Sequence, residues 1–356
     1  MNIVEATKSY ERWLGSHLPL VARDLGKKHE IMHGSAFGFL RATYYRWLQQ
    51  AEKHGLAAGG APAVLAVGDL HIENFGSWRD GEARLVWGIN DFDEAHRAPY
   101  AVDLVRLAAS ALVAIDEGSL FVGAQRACRE ILAGYTESIR AEAGPFVLEE
   151  KNAHLRALAL NDRHAPVVFW KKLLAKRRPA TMPEAEALLR QALPAGTSGI
   201  LFSRHTAGVG GRGVPRYLAT GMLDGSHVAR EAKRRAPLSS AWARGAAPAV
   251  ADYERILARA VRAPDPFLHV QPGWIVRRLA PHSTRIELAD LASAAERREV
   301  LHAMGAETAN IHRGTRGAAA RIARHLRRQK DGWLYDAARR MADTVHKDWK
   351  AWRKRG

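Results

Sequence analysis

The sequence predicts an α+β chain of two parts, and three observations support that expectation. Its 356 residues exceed the ordinary size of one domain. Apolar residues recur every three to four positions through the first sixty residues and again from Val102 to about Ala141. Beyond the break Pro194-Ala195-Gly196-Thr197-Ser198-Gly199, the pattern changes to short alternating runs separated by tight turns. The expected division is an N-terminal helical segment over 1–62, a helix-rich part over 63–195 and a small antiparallel β part over 196–285. Residues 286–356 are expected to add helices that rejoin the helix-rich part and end in a basic tail.

Each element has a local cause. Ser35 can cap a helix in which Phe37, Leu40, Tyr44 and Trp47 share a face. Gly59-Gly60-Ala61-Pro62 ends that pattern, and Ala63-Val64-Leu65-Ala66-Val67 is an apolar run of strand length leading into Gly68-Asp69. A second strand over Arg84–Ile89 leads into Asn90-Asp91, with the turn Arg79-Asp80-Gly81-Glu82 between the two. Leu104, Leu107, Ala108, Leu112 and Ile115 form the apolar stripe of a long helix. In the β part, runs over Tyr217–Leu223 and His227–Lys233 flank the turn Asp224-Gly225-Ser226, and Trp274–Leu279 supplies a further strand. Ser293-Ala294-Ala295-Glu296 has capping-box spacing and opens a helix through Val300, Leu301, Met304, Thr308 and Ile311. The tail, with Trp333, Leu334, Met341, Trp349 and Trp352, reads as a basic amphipathic helix.

Composition narrows the function classes. A hydrophobic share of 47% with 10 Trp suits a folded core, and the single cysteine, Cys128, excludes an internal disulfide. Met1–Lys8 lacks the basic-then-apolar pattern of a secretory signal, and no apolar run approaches the ~18 residues of a membrane span, so a cytoplasmic protein is expected. The balance of 54 Lys+Arg against 37 Asp+Glu, a net +17, favours polyanions as partners: nucleotide, phosphorylated metabolite, nucleic acid or membrane surface. The excess concentrates at Lys171-Lys172 with Lys176-Arg177-Arg178, at Arg230–Arg235 and in the tail from Arg321.

The residues that carry chemistry lie at strand ends. Asp69 and Asn74 are five apart, the interval of the H-R-D-x-x-x-x-N loop in which Asp orients an attacking hydroxyl and Asn binds a metal ion. Asp91 follows Asn74 by 17 residues at the end of an apolar strand, where its hard oxygens suit Mg²⁺; Asp93 and Glu94 are competing or additional ligands. His71 fits packing or hydrogen bonding within the loop better than proton transfer. Gly208-Val209-Gly210-Gly211-Arg212-Gly213 satisfies G-x-G-x-x-G, and the extended chain after Gly213 suits a strand–turn–strand phosphate cover rather than a dinucleotide fold. Lys233 or Arg230 is the candidate cation for the phosphates, with Glu254 a candidate ion-pair partner.

Gly68-Asp69-Leu70-His71-x-x-Asn74 resembles the catalytic loop of aminoglycoside phosphotransferases and choline kinases, and Ile89-Asn90-Asp91-Phe92 resembles their metal site. Asp103, twelve residues after Asp91 in Pro99-Tyr100-Ala101-Val102-Asp103-Leu104, is similar to the Asp that braces the loop in that superfamily. Two departures stand out: Val67 replaces the usual His, and Asn90 precedes Asp91. The resemblance implies a two-lobe protein-kinase-like fold, with a helix-rich catalytic lobe and a small antiparallel β lobe. It also implies ATP and Mg²⁺ as cofactors, with transfer of the γ-phosphoryl group to a hydroxyl of a small acceptor, for which the basic surface hints at an anion. Because the glycine loop follows the catalytic loop here, a circular permutation is expected. Met304–His312, which resembles the helix that ordinarily precedes the catalytic loop, fits that order. The same motifs, from about Ser35 to His312, also resemble an uncharacterised bacterial family, domain of unknown function 2252. Two other readings are a nucleic-acid-binding protein using the basic surface and Trp333, Trp349 and Trp352, and a nucleotide-binding pseudokinase.

Overall fold

Four helices form the N-terminal segment. The computed structural model describes residues 1–356 except 57–59, 143, 161–164, 176–177, 181, 282, 284–292 and 356, so Gly59, Lys176 and Arg177 lie outside the described residues. Helix α1 (Ile3–Gly15) opens on a reciprocal capping box between Asn2 and Glu5. Then come α2 (Ala22–Gly34), α3 (Ala36–Ala42) and α4 (Tyr44–Lys53). Ser35 caps α3 as predicted, its hydroxyl accepting from the Gly38 amide. The single helix expected through Trp47 is broken at Thr43 (φ −124°, ψ 40°), whose hydroxyl donates to the Phe39 carbonyl at 2.7 Å. Phe37, Leu40, Tyr44 and Trp47 nevertheless join one core.

Four short strands follow: β1 (Ala63–Ala66), β2 (Phe75–Arg79), β3 (Leu85–Ile89) and β4 (His96–Pro99). The two strands expected from the sequence do not pair with each other. Instead β2, whose Phe-Gly-Ser-Trp-Arg run has too few apolar residues to announce a strand, forms the hairpin with β3 across residues 80–84, and β1 pairs antiparallel with β4. The helical stretch from residue 100 is two helices, α5 (Tyr100–Asp116) and α6 (Ala124–Arg140). Glu117, in the break between them, accepts the Ala36 and Phe37 amides at the N-terminus of α3.

Next are β5 (Phe146–Val147), which extends the β2–β3 hairpin, α7 (Ala153–Ala159), α8 (Pro166–Ala175), β6 (Arg178–Pro179) and α9 (Pro183–Ala192). Strands β7 (Ser198–Arg204), β8 (Arg216–Leu223) and β9 (Ser226–Arg234) precede α10 (Ser239–Ala243), α11 (Tyr253–Arg259), β10 (His269–Gln271) and β11 (Trp274–Arg278). They build an antiparallel sheet of order β10-β11-β9-β8-β7-β6, so the strand after the glycine-rich segment lies beside β9. Asp224 and Gly225 (φ +47° and +76°) make the two-residue turn between β8 and β9. One face of the sheet packs Tyr217, Ala219, Trp274 and Val276 against Ala185 and Leu189 of α9 as a separate small core.

The chain then returns to the larger core through α12 (Ala294–Arg313), α13 (Ala318–Leu326) and α14 (Trp333–Arg355). Ser293 and Glu296 form the predicted capping box. Helix α12 crosses α6 at very close range: a Cβ on Gly134 would lie 1.9 Å from the His302 carbonyl oxygen, and one on Gly305 2.0 Å from that of Ile131. Ile3, Trp47, Leu104, Ile131, Met304 and Trp352 share one hydrophobic cluster, so both ends of the chain pack together and the six-stranded sheet lies between them in sequence. Among the described residues, no helix is long and apolar enough to cross a membrane.

Candidate active site

The turn leaving β1 is held by a buried carboxylate. Asp103 accepts the Val67 and Gly68 amides at 2.7 and 3.0 Å and the His312 Nε2–H at 2.9 Å, while His312 Nδ1 faces the Tyr135 hydroxyl at 2.8 Å. Gly68 has φ +90°, and a Cβ there would lie 2.2 Å from the Glu94 carbonyl oxygen, so this turn demands glycine. Asp69 is thereby aimed into a cleft of about 280 Å³, which is also lined by His71, Asn74, Asp91, Asp93, Glu94, Lys233 and the glycine-rich segment.

Asp69 Oδ1 accepts from Arg106 at 2.6 Å (NH2) and 3.2 Å (Nε). Arg106 is fully buried, lies near the rings of Tyr44 and Trp47, and donates a further bond to the Leu40 carbonyl at 2.7 Å. Burial still raises the Asp69 carboxyl above its ordinary value, against the pull of Arg106. A carboxylate so placed is a better proton acceptor than one in water. His71 is buried, its Nδ1 accepting the Glu73 amide at 3.2 Å with Phe37 against its ring, while Glu73 pairs with Arg41.

Asn74 links the two acidic turns. Its amide donates to the carbonyls of Asp69 (3.3 Å) and Asp91 (3.1 Å), and its Oδ1 accepts the Asp91 amide at 3.1 Å. Lys233 reaches across from β9 to Asp91 Oδ2 at 3.4 Å and pairs with Asp93. Burial would raise the Asp91 carboxyl, but the charges of Lys233, Arg216 and Arg277 hold it below the ordinary value. The two acids at the ends of neighbouring turns are therefore driven in opposite directions, Asp69 toward the proton and Asp91 toward the anion.

Among the described residues, no three His, Cys, Asp or Glu side chains converge as a closed metal site. Mg²⁺ shared with phosphates needs only one or two carboxylates, and Asp91 and Asp93 supply hard oxygens that already converge on one cation, Lys233. The donor set therefore fits that ion, and Asp91 and Asp93 are the residues that would hold it. The Asn74 Oδ1 is engaged by the Asp91 amide, so the structure gives Asn74 the task of aligning the two turns. Glu94 accepts the Ser239 amide at 2.9 Å and its hydroxyl, and burial pushes it up to about 8.

The glycine-rich segment is a turn between β7 and β8, a strand–turn–strand arrangement. The Cα of Gly210 brings the chain to within reach of Asp69 Oδ2 (3.3 Å from an ideal Cβ), and that of Gly211 to the Lys233 ammonium (3.6 Å). Helix α2 steadies the segment: the Val21 amide donates to the Gly213 carbonyl at 2.9 Å, and Thr206 donates to Asp24 at 3.2 Å. Gly208, Gly210 and Gly211 line the cleft. Gly213 does not; it packs on Leu25 instead, which corrects its expected place in a phosphate cover.

Two further expectations are corrected. Arg230 stands three positions from Lys233 and so on the opposite face of β9, where it donates to the Ala192 carbonyl at 2.9 Å and lies over Phe267. It is thus no candidate for the cleft cation. Glu254 pairs with Arg235 at 2.7 Å, so the acids beside Lys233 are Asp91 and Asp93. Glu231, on the same face as Lys233, is held to about 2 against the cost of burial by Arg277 and Arg216. Sequence reasoning missed Arg106; its signal is one arginine three residues after Asp103 in an otherwise apolar helix.

No curated protein and no solved structure matches the chain. The segment that supplies Gly68, Asp69, Asn74, Asp91 and Asp103 is nevertheless similar to a described family: residues 20–190 match the model of "Uncharacterized protein conserved in bacteria (DUF2252)", a span that stops short of the glycine-rich turn and of α12.

Proposed function

We propose that this protein transfers the γ-phosphoryl group of ATP to a hydroxyl of a small-molecule acceptor, in a cleft between a helix-rich lobe and a small β lobe of kinase-like, circularly permuted construction. One observation carries the proposal. Lys233 on β9 meets Asp91 at 3.4 Å, beneath a glycine-rich turn that also approaches Asp69. Four segments far apart in sequence supply the charges, donors and open backbone that phosphoryl transfer requires. Turn chemistry alone would not gather them.

In this reading Asp69 orients the acceptor hydroxyl and takes its proton as the new O–P bond forms and the bond from the γ-phosphorus to the bridging oxygen breaks, with ADP as the leaving group. Arg106 keeps Asp69 in place. Lys233 holds the α and β phosphates, and the amides of the 208–211 turn lie against them. Bound Mg²⁺, held by Asp91 and Asp93, would neutralise phosphate charge. A nucleic-acid reading loses the basic run 230–235 as a surface: Lys233 pairs with Asp91, Arg234 with Glu184 and Arg235 with Glu254, and Arg230 is buried.

The test is incubation of a metabolite extract with labelled ATP and Mg²⁺, comparing the native chain with Asp69→Asn. Labelled product is expected from the native chain and about 10²- to 10⁴-fold less from the variant. Equal labelling would remove the enzyme assignment. ATP–Mg²⁺ binding that is unchanged in Asp91→Ala would remove the metal assignment.

A further inference from the structure

Lys28 lies on α2, outside the sequence motifs of the proposed nucleotide site, and it lines the same cleft as Asp69. It is only 3% exposed. A buried ammonium needs partners for three N–H donors, and here its neighbours offer ring faces: Nζ lies 5.9 Å from the centroid of Tyr10 and 5.7 Å from that of Tyr45. The hydroxyls of those rings are already used, Tyr10 with Ser239 at 3.0 Å and Tyr45 with Thr7 at 2.9 Å. Burial holds the Lys28 ammonium below its ordinary value; three acids pull the other way through space, and each is engaged elsewhere: Glu11 with His29, Asp69 with Arg106 and Glu94 with Ser239. Among the described residues the Lys28 ammonium makes no ion pair.

A cation that is desolvated and unpaired in an open cleft is a costly feature unless a ligand completes it. The surrounding charge selects an anion. Asp69 is paired with Arg106 and Glu73 with Arg41, while both carboxyl oxygens of Glu94 are taken by the amide and hydroxyl of Ser239. That leaves Lys28 without a paired acid on this side of the cleft. The stacked rings of Tyr10 and Tyr45 (4.1 Å between centroids) form a rigid wall behind it, closed edge-on by Trp242.

We infer that Lys28 anchors an anionic group of the phosphoryl acceptor, so that the substrate is a small hydroxylated anion, a sugar phosphate or a hydroxy acid, whose hydroxyl is presented to Asp69. This rests on the phosphotransfer reading for the role of Asp69, but not for the anion site itself. Lys28 differs from Lys233 in its partners: Lys233 pairs with Asp91 and Asp93, whereas Lys28 faces the rings of Tyr10 and Tyr45.

The test uses the full chain and two probes, inorganic phosphate and glycolate, with thermal stability followed as each is titrated in the presence and absence of ATP–Mg²⁺. Whichever probe matches the substrate's anion stabilises the native chain; phosphate indicates a phosphorylated acceptor, glycolate a carboxylated one. Lys28→Met should weaken that probe at least tenfold while ATP–Mg²⁺ binding is unchanged, and Lys28→Arg should recover most of the effect, which separates lost binding from lost folding. Lys233→Met should show the reverse pattern. Probe binding that is equal in the native chain and Lys28→Met overturns the inference, as does preferential labelling of neutral polyols or amino alcohols in the transfer assay. If the probe depends on Lys28 but ATP–Mg²⁺ binds neither native nor variant chain, the anion site stands and the phosphotransfer reading falls.

Discussion

At the scale of single residues, the cleft is organised by side chains that make others usable. Arg106 is the clearest case, since it is wholly buried and its guanidinium is divided between Asp69 and the Leu40 carbonyl. Removing its charge leaves a largely buried carboxylate without a counter-ion. Arg106→Met is therefore expected to lower stability by about 3–5 kcal/mol, measured by urea unfolding. Adding Asp69→Asn should recover part of the loss, because the orphaned charge goes with it; additivity of the two would count against the pair. Arg106 was not legible in the sequence as a partner of Asp69, since nothing local links position 106 to position 69. Gly68, Asp69, Asn74 and Asp91 were legible because their geometry is set by short turns whose spacing is written in the chain.

At the scale of elements, α12 joins the halves of the helix-rich core. Its Gly305 sits where a Cβ would meet the Ile131 carbonyl oxygen at 2.0 Å, and backbone cannot swing aside as a side chain can. Gly305→Ala should cost about 1–3 kcal/mol through overpacking, read from the shift in denaturation midpoint. Two residues further along, Glu307 accepts the Ile89 amide at 3.3 Å and the Asn310 side-chain amide at 3.2 Å, and burial raises it from 4.5 to about 7. The folded chain thus keeps a proton that the unfolded chain releases near pH 4.5. This stabilisation is full below pH 4.5 and is lost as pH rises to about 7, with a slope of roughly 1.4 kcal/mol per pH unit at most. Glu307→Gln should flatten that part of the stability profile, and an unchanged profile would show that another group is responsible.

The elements also show where pattern reading stops. Strands β8, β9 and β11 announce themselves by alternation, whereas β2 does not, and its presence changes the partners of both neighbouring strands. Spacing alone prefers Lys233 for its compact ammonium but keeps Arg230 as an alternative, and the pairing of β9 with β8 and β11 separates the two by face. A register shift of one residue would exchange them.

At the scale of the whole molecule, the sheet and the helical core meet at the cleft through charges from both: Lys233 from the sheet, Asp91 and Asp93 from the turn after β3. A ligand bound between them should hold the parts together. Saturating ATP–Mg²⁺ at 100 times its Kd is expected to stabilise the native chain by about 2.7 kcal/mol, and Lys233→Met should abolish most of that increment. Calorimetry with and without nucleotide measures both, and an undiminished increment in the variant would remove Lys233 from the proposed nucleotide site.

The sequence by itself determined the α+β class, the caps at Ser35 and Ser293, the β8–β9 turn and the acidic turns at Asp69 and Asp91, because each depends on interactions within a few residues. Only the tertiary structure decided that Lys233 rather than Arg230 enters the cleft, that Glu254 stays outside it, that Gly213 faces α2, that Arg106 backs Asp69 and that Lys28 lines the cleft. Those outcomes depend on strand register and on the docking of helices distant in sequence, where the free energy lies in long-range packing that no local spacing records.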